Sequence, residues 1–195
     1  MARIVYLREE VEVPEGVEIK IDGKRVRVKG KLGEVEKDFS HAKRILLSLE
    51  DRKVVVETYF ADKKTSALVK TIASKIKNMI VGVQKGYRYK MRVVYAHFPM
   101  EISVNKDRGI VVIKNFLGRK KPIIARIIPG ADVKVQGKKE VIVEGIDIDA
   151  VGQTAANIHL AARLRGDERL CPHGREGGPG VLDGIYIYAK EHIEE

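Results

Sequence analysis

The chain has 195 residues, 44% hydrophobic and 33% charged, with a formal net charge of +10 and a sequence pI of about 9.6. No apolar run approaches the roughly 18 residues a membrane span needs. The N-terminal "MARIVYLREEVEVPEG" has no signal-peptide core, and the single cysteine, Cys171, excludes an internal disulfide, so a soluble cytoplasmic protein is expected. The basic excess makes a polyanion, nucleic acid first, the expected partner.

In chain order, "VEIKI" at 17–21 and "RVRVKG" at 25–30 alternate apolar and polar residues with period two, as half-buried strands do, and Asp22-Gly23 marks a hairpin turn between them. "ILLSLEDRKVVVETY" reads as a second hairpin with "EDRK" as its turn. From Asp62 the pattern changes to helical. Leu68, Ile72, Ile76, Ile80 and Val83 recur every three or four residues on one buried face, with most lysines off it. A strand over 87–95 then puts Tyr87, Tyr89, Met91, Val93 and Tyr95 on one face, the core face by ordinary expectation. Arg88, Lys90 and Arg92 fall on the other. Same-face neighbours sit ~6.8 Å apart and repel by roughly 0.6 kcal/mol in water. A solvated basic stripe is therefore allowed without any ligand.

The remainder repeats this plan. "MEISVNKDRGIVVIKNFLGRKKPI" at 100–123 parallels 17–39, and "EVIVE" at 140–144 parallels "KVVVE" at 53–57. "DVKVQGKKEVIVEG" is a hairpin with Gly137 in its turn. Asp149 opens a helix with Val151, Ala155, Ile158 and Ala162 on its buried face and Gly166 as its stop, and "GIYI" at 184–187 parallels "GYRY" at 86–89. The expected fold class is α+β: two tandem duplicated domains, residues 1–95 and 96–195, each an antiparallel sheet packed with one helix. The copies are 87 residues apart at Asp62 and Asp149 but 98 apart at Gly86 and Gly184, which implies an eleven-residue insertion in the second copy. It falls in the basic, glycine-rich "RGDERLCPHGREGGPG". A short charged tail, "KEHIEE", closes the chain.

Three cationic groups follow as candidate RNA contacts. The first is Arg88, Lys90 and Arg92 on the strand. The second is Lys114, Arg119, Lys120 and Lys121, with Arg126 beyond them, around "LGRKKP", an exposed hairpin tip that turns at Gly118 and ends at Pro122. Its counterpart in the first copy, "LGEVEK", carries Glu34 and Glu36, an asymmetry that packing does not require and a phosphate contact would explain. The third is Arg163, Arg165, Arg169, His173 and Arg175 of the inserted loop. Arginines there can hold phosphates with two hydrogen bonds each. Gly118, Gly174, Gly177 and Gly178 let backbone come close to RNA. The loop has no Gly-Lys-Ser/Thr and is not a P-loop. No catalytic group, metal site, cofactor, small-molecule substrate or membrane partner is expected. Cys171 and His173 lack a paired base or a second thiolate, and His41, His97, His159 and His192 are scattered singly. An enzyme built on Cys171 and His173, and a scaffold that binds only protein, are the weaker readings. A free-standing nucleic-acid-binding architectural module is the main alternative.

"NMIVGVQKGYRYKMRVVYAHFP", followed by "NFLGRKKP" and later "LDGIY", resembles large-subunit ribosomal protein six in the bacterial counting, nine in eukaryotes, in its archaeal form. The resemblance runs from "VEVPEGV" to "LDGIYIY". The bacterial branch has a different stretch in place of "CPHGREGGPG". The resemblance implies two duplicated α+β domains and no enzymatic activity. It also implies binding to large-subunit ribosomal RNA mainly through the second domain, at the stalk base near the sarcin–ricin loop. Ribosomal proteins would be neighbours there, and translation factors dock nearby.

Overall fold

The computed structural model describes residues 4–163 and 183–193. They form two units, one of residues 4–86 with 146–148, the other of the remaining described residues from 87 onward.

In the first unit, β1 (Ile4–Glu12), β2 (Glu18–Asp22), β3 (Arg25–Gly30), β4 (Gly33–Asp38), β5 (Leu46–Glu50) and β6 (Lys53–Ala61) precede α1 (Lys63–Lys85). The strands make two antiparallel sheets, ordered β2-β3-β4 and β1-β6-β5. The alternation in "RVRVKG" does what it predicts: Val26 and Val28 are fully buried and Arg25, Arg27 and Lys29 face out. Helix α1 closes the core. Val69, Ile72, Ile76, Met79, Ile80 and Val83 pack with Val26, Val28, Val54 and Val56. Each such side chain, fully buried, is worth about 1.5–3 kcal/mol. Asp62 caps α1, its Oδ1 accepting from the Thr65 N–H at 2.7 Å, and Gly86 ends it. Strand β3 meets the helix so closely at Gly30 that a Cβ there would lie 2.9 Å from the Val83 carbonyl oxygen, which explains the glycine.

The second unit holds β7 (Tyr87–Val94), β8 (Glu101–Asn105), β9 (Ile110–Lys114), a 3-10 turn (Phe116–Gly118), β10 (Ile123–Arg126), β11 (Ala131–Gln136), β12 (Glu140–Gly145), α2 (Ile148–Ala161) and β13 (Gly184–Glu191). Its sheets run β8-β9-β10 and β11-β12-β7-β13. The three-stranded sheet repeats β2-β3-β4, and β11-β12 repeats β5-β6, so the two-domain α+β duplication holds. Val151, Thr154, Ala155 and Ile158 form the buried face of α2.

The boundary differs from the expected one. The first unit ends at Gly86, not at residue 95, because β7 pairs with β12 and β13 and belongs to the second sheet. It is the counterpart of the N-terminal strand β1: Met91 lies opposite Val141 as Val11 lies opposite Val54. Strand β13 is a fourth strand with no counterpart in the first copy's sheet among the described residues. Matching "GYRY" with "GIYI" therefore compared strands in different places. The eleven-residue difference does not measure an insertion into a shared loop. Period-two alternation tells which residues face inward, and β7 does bury Tyr87, Tyr89, Met91 and Val93. It does not tell which strands lie alongside.

Candidate nucleic-acid interface

The β9–β10 connection is an exposed, strongly cationic feature of the second unit. In the first unit the matching connection is a two-residue turn, Lys31-Leu32, between β3 and β4. Here it spans residues 115–122 and takes unusual backbone angles: φ is +58° at Asn115, +51° at Leu117 and +75° at Gly118. Side chains fix that shape. Phe116 is buried, and the Asn115 side-chain amide donates to the Pro99 carbonyl at 2.9 Å. The Phe98 ring lies against Gly118, where a Cβ would come within 3.1 Å of it. This packing and the positive φ account for the glycine within the protein itself.

Lys114, Arg119, Lys120 and Lys121 are all exposed on or beside this loop, as is Arg126 at the end of β10. Arg119 lies 5.8 Å from the Phe116 ring centroid, which orients its guanidinium. Among the described residues, Lys114, Lys120 and Lys121 have no carboxylate partner. In the first unit, Arg27 sits between Glu34 (2.9 Å) and Glu36 (2.6 Å), and its charge is used up locally.

The strand cations of β7 stand differently. Their own segment is free of acids, but neighbouring strands supply them. Arg88 Nε donates to Glu144 of β12 at 2.6 Å, and Lys90 Nζ reaches Glu191 of β13 at 2.8 Å. The hydrogen bond that Lys90 donates to Glu191 raises the Lys90 pKa. Burial resists the charge on Glu144, but hydrogen bonds from Lys134 and Arg88 outweigh it and hold the carboxyl below its ordinary range. Arg92 is exposed and covers the Tyr188 ring at 5.2 Å, while Tyr188 donates to Glu140. Two of the three therefore have intramolecular counterions, and Arg92 is the one most open to a ligand.

The turn between β11 and β12 adds cations that sequence reading passed over. Lys138 and Lys139 line an open groove of about 630 Å³ with Arg92, Tyr95, Gln136 and Glu140. Lys139 Nζ lies 5.2 Å from the Tyr95 ring centroid. The signal was present as "QGKK", but only strand pairing brings it next to Arg92. The exposed groove supplies two lysines and an arginine against one carboxylate.

Of the third group, Arg163 is exposed just past α2. Arg165, Arg169, His173, Arg175, Gly174, Gly177 and Gly178 lie outside the described residues, as does Cys171. The single histidines are not assembled: His159 Nδ1 lies 2.7 Å from the Ile185 carbonyl, and His192 stacks near Tyr87. Among the described residues no cluster of His, Cys, Asp and Glu could hold a metal ion, and no helix is long and apolar enough to cross a membrane.

Comparison with known proteins agrees with the duplicated plan. Residues 13–86 and 98–167 each match the family described as ribosomal protein L6. Proteins described as large ribosomal subunit protein uL6 are similar over nearly the whole chain. One from Aeropyrum pernix is 52% identical, covering 99% of this chain and all of its own. One from Staphylothermus marinus is 50% identical over 96% of this chain and 97% of its own. One from Methanobrevibacter smithii is 42% identical over 95% and 97%. The chain belongs to the ribosomal protein L6 family.

Proposed function

We propose that this protein is a structural, non-catalytic constituent of the large ribosomal subunit in the cytoplasm. It binds large-subunit ribosomal RNA mainly through its second unit, at the stalk base near the sarcin–ricin loop, among other ribosomal proteins and close to where translation factors dock. The observation that carries the RNA assignment is the 115–122 loop. It is longer than its counterpart, held in shape by Phe98, Phe116 and Asn115, and presents Lys120 and Lys121 with no acid beside them. Point charges on flexible stems suit phosphates. Each phosphate neutralised releases counterions, which supplies affinity and makes it salt-dependent. Lys114, Arg119, Arg163 and the Arg92, Lys138 and Lys139 groove extend the same surface chemistry. Arg88 and Lys90 contribute chiefly to holding the sheet.

The test is Lys120→Ala with Lys121→Ala in the full chain, titrated with folded large-subunit ribosomal RNA across a salt series. The log–log slope should flatten by about 1.8, at roughly 0.9 per lost phosphate contact. An unchanged slope takes the loop out of the interface. Equal affinity for duplex DNA at the same salt would favour a free-standing architectural module instead.

A further inference from the structure

The first unit carries a basic surface that the second-unit reading leaves unused. Helix α1 has six lysines and no acid between Lys63 and Lys85. Its apolar face is consumed by the core, and the opposite face presents Lys63, Lys70 and Lys77, all exposed. A seven-residue step returns nearly to the same side of a helix, so these three form one row, spaced about 10.5 Å apart at 1.5 Å per residue. Lys85 extends the row, and Lys64 flanks it.

The row is not accounted for by stability. Glutamate has nearly the same helix propensity as lysine, and Glu–Lys pairs four apart would strengthen the helix. Lys63 and Lys64 stand in the first turn, where the helix dipole disfavours positive charge. Several cations elsewhere in the unit are paired: Arg8 with Glu50, Arg25 with Asp38, Arg27 with Glu34 and Glu36, Lys53 with Glu10. Among the described residues Lys63, Lys70 and Lys77 have no such partner.

We infer that the outer face of α1 is a second RNA-binding surface, holding phosphates of a ribosomal RNA backbone. The chemistry favours RNA over protein or lipid. None of the unit's exposed large apolar residues lies on α1, so the face offers no anchor for a protein hot spot or for insertion into a bilayer. Between the lysines stand Ala67, Thr71 and Ser74, exposed and short, which lets a backbone come close. The inference rests on the ribosomal reading above for its RNA, but on different residues.

The experiment compares the full chain with Lys63→Gln/Lys70→Gln/Lys77→Gln and with Lys63→Arg/Lys70→Arg/Lys77→Arg, titrated with transcribed large-subunit ribosomal RNA and with polyglutamate. Gln keeps helix propensity close to that of Lys, and circular dichroism checks that the fold survives. The Gln variant should flatten the log–log salt slope for RNA by about 2.7, and the Arg variant should keep it. It should also lose a patch of hydroxyl-radical protection that the Lys120→Ala/Lys121→Ala protein retains. An unchanged RNA slope overturns the inference, and a loss confined to polyglutamate overturns it in favour of an acidic protein partner. If the helix variant flattens the slope and the loop variant does not, the inference stands and the second-unit reading fails. The reverse result sinks only the inference.

Discussion

Turn 31–32 and loop 115–122 occupy the same place in the two copies, between the second and third strands of a three-stranded antiparallel sheet. The first closes in two residues, and the strand beyond it, β4, sets Glu34 and Glu36 against Arg27. The second is longer and aromatic-braced, and shows its lysines without acids. The lesson is that a basic residue counts as a ligand only after its surroundings are known. Strand β7 makes the same point from the other side. It looked free of acids along the chain, yet Glu144 and Glu191 reach it from two neighbouring strands.

The comparison can be broken most severely at the boundary between the copies. A protein beginning at Tyr87 keeps β7 between β12 and β13 and is expected to unfold cooperatively. One beginning at Ala96 loses the interior strand and with it the buried Tyr87, Tyr89, Met91 and Val93, and cooperative unfolding should vanish in thermal melts. A cooperative transition in the shorter fragment would move the boundary back toward residue 95.

The bracing of the longer loop is tested by Gly118→Ala. The left-handed conformation alone costs about 1–2 kcal/mol, and the new Cβ meets the Phe98 ring. Denaturant midpoints should therefore show a loss that shrinks in a Phe98→Ala background. Equal losses in both backgrounds would remove the ring as a cause.

The smallest effect concerns the acids facing β7. The folded-state pKa of Glu144 lies below the ordinary 4.5. Its carboxylate therefore contributes fully above pH 4.5 and loses that contribution as pH falls through the lowered folded value. Glu144→Gln should cost about 1 kcal/mol or less near neutral pH. The gap from the unaltered protein should narrow in acid, as read from urea midpoints over a pH series. A gap that stays constant would mean that the pairs with Lys134 and Arg88 carry no charge-dependent stability.

Much of the architecture was legible along the chain. The alternation of Val26 and Val28, the glycine turns at 23 and 137, the Asp62 cap and the three-to-four spacing in α1 are local signals, and the local chain obeys them. The basic tip at "LGRKKP" was legible for the same reason, as a turn flanked by strands. The place of β7 was not. Neither were the pairing of Arg88 and Lys90, nor the meeting of Lys138 and Lys139 with Arg92, because each depends on residues far away in sequence. Gly118 was read as room for RNA; in the structure its positive φ and the Phe98 ring already explain it.

By itself the sequence determined most of the elements, though not β1, together with the inward faces, the duplication and the excess of positive charge, since backbone propensity and hydrophobic period act over a few residues. The tertiary structure alone decided which strand joins which sheet and which cations keep their charge available to a partner. Strand pairing brings distant side chains within hydrogen-bonding reach, and a carboxylate at 2.6–2.8 Å removes a cation from service however basic its own segment reads.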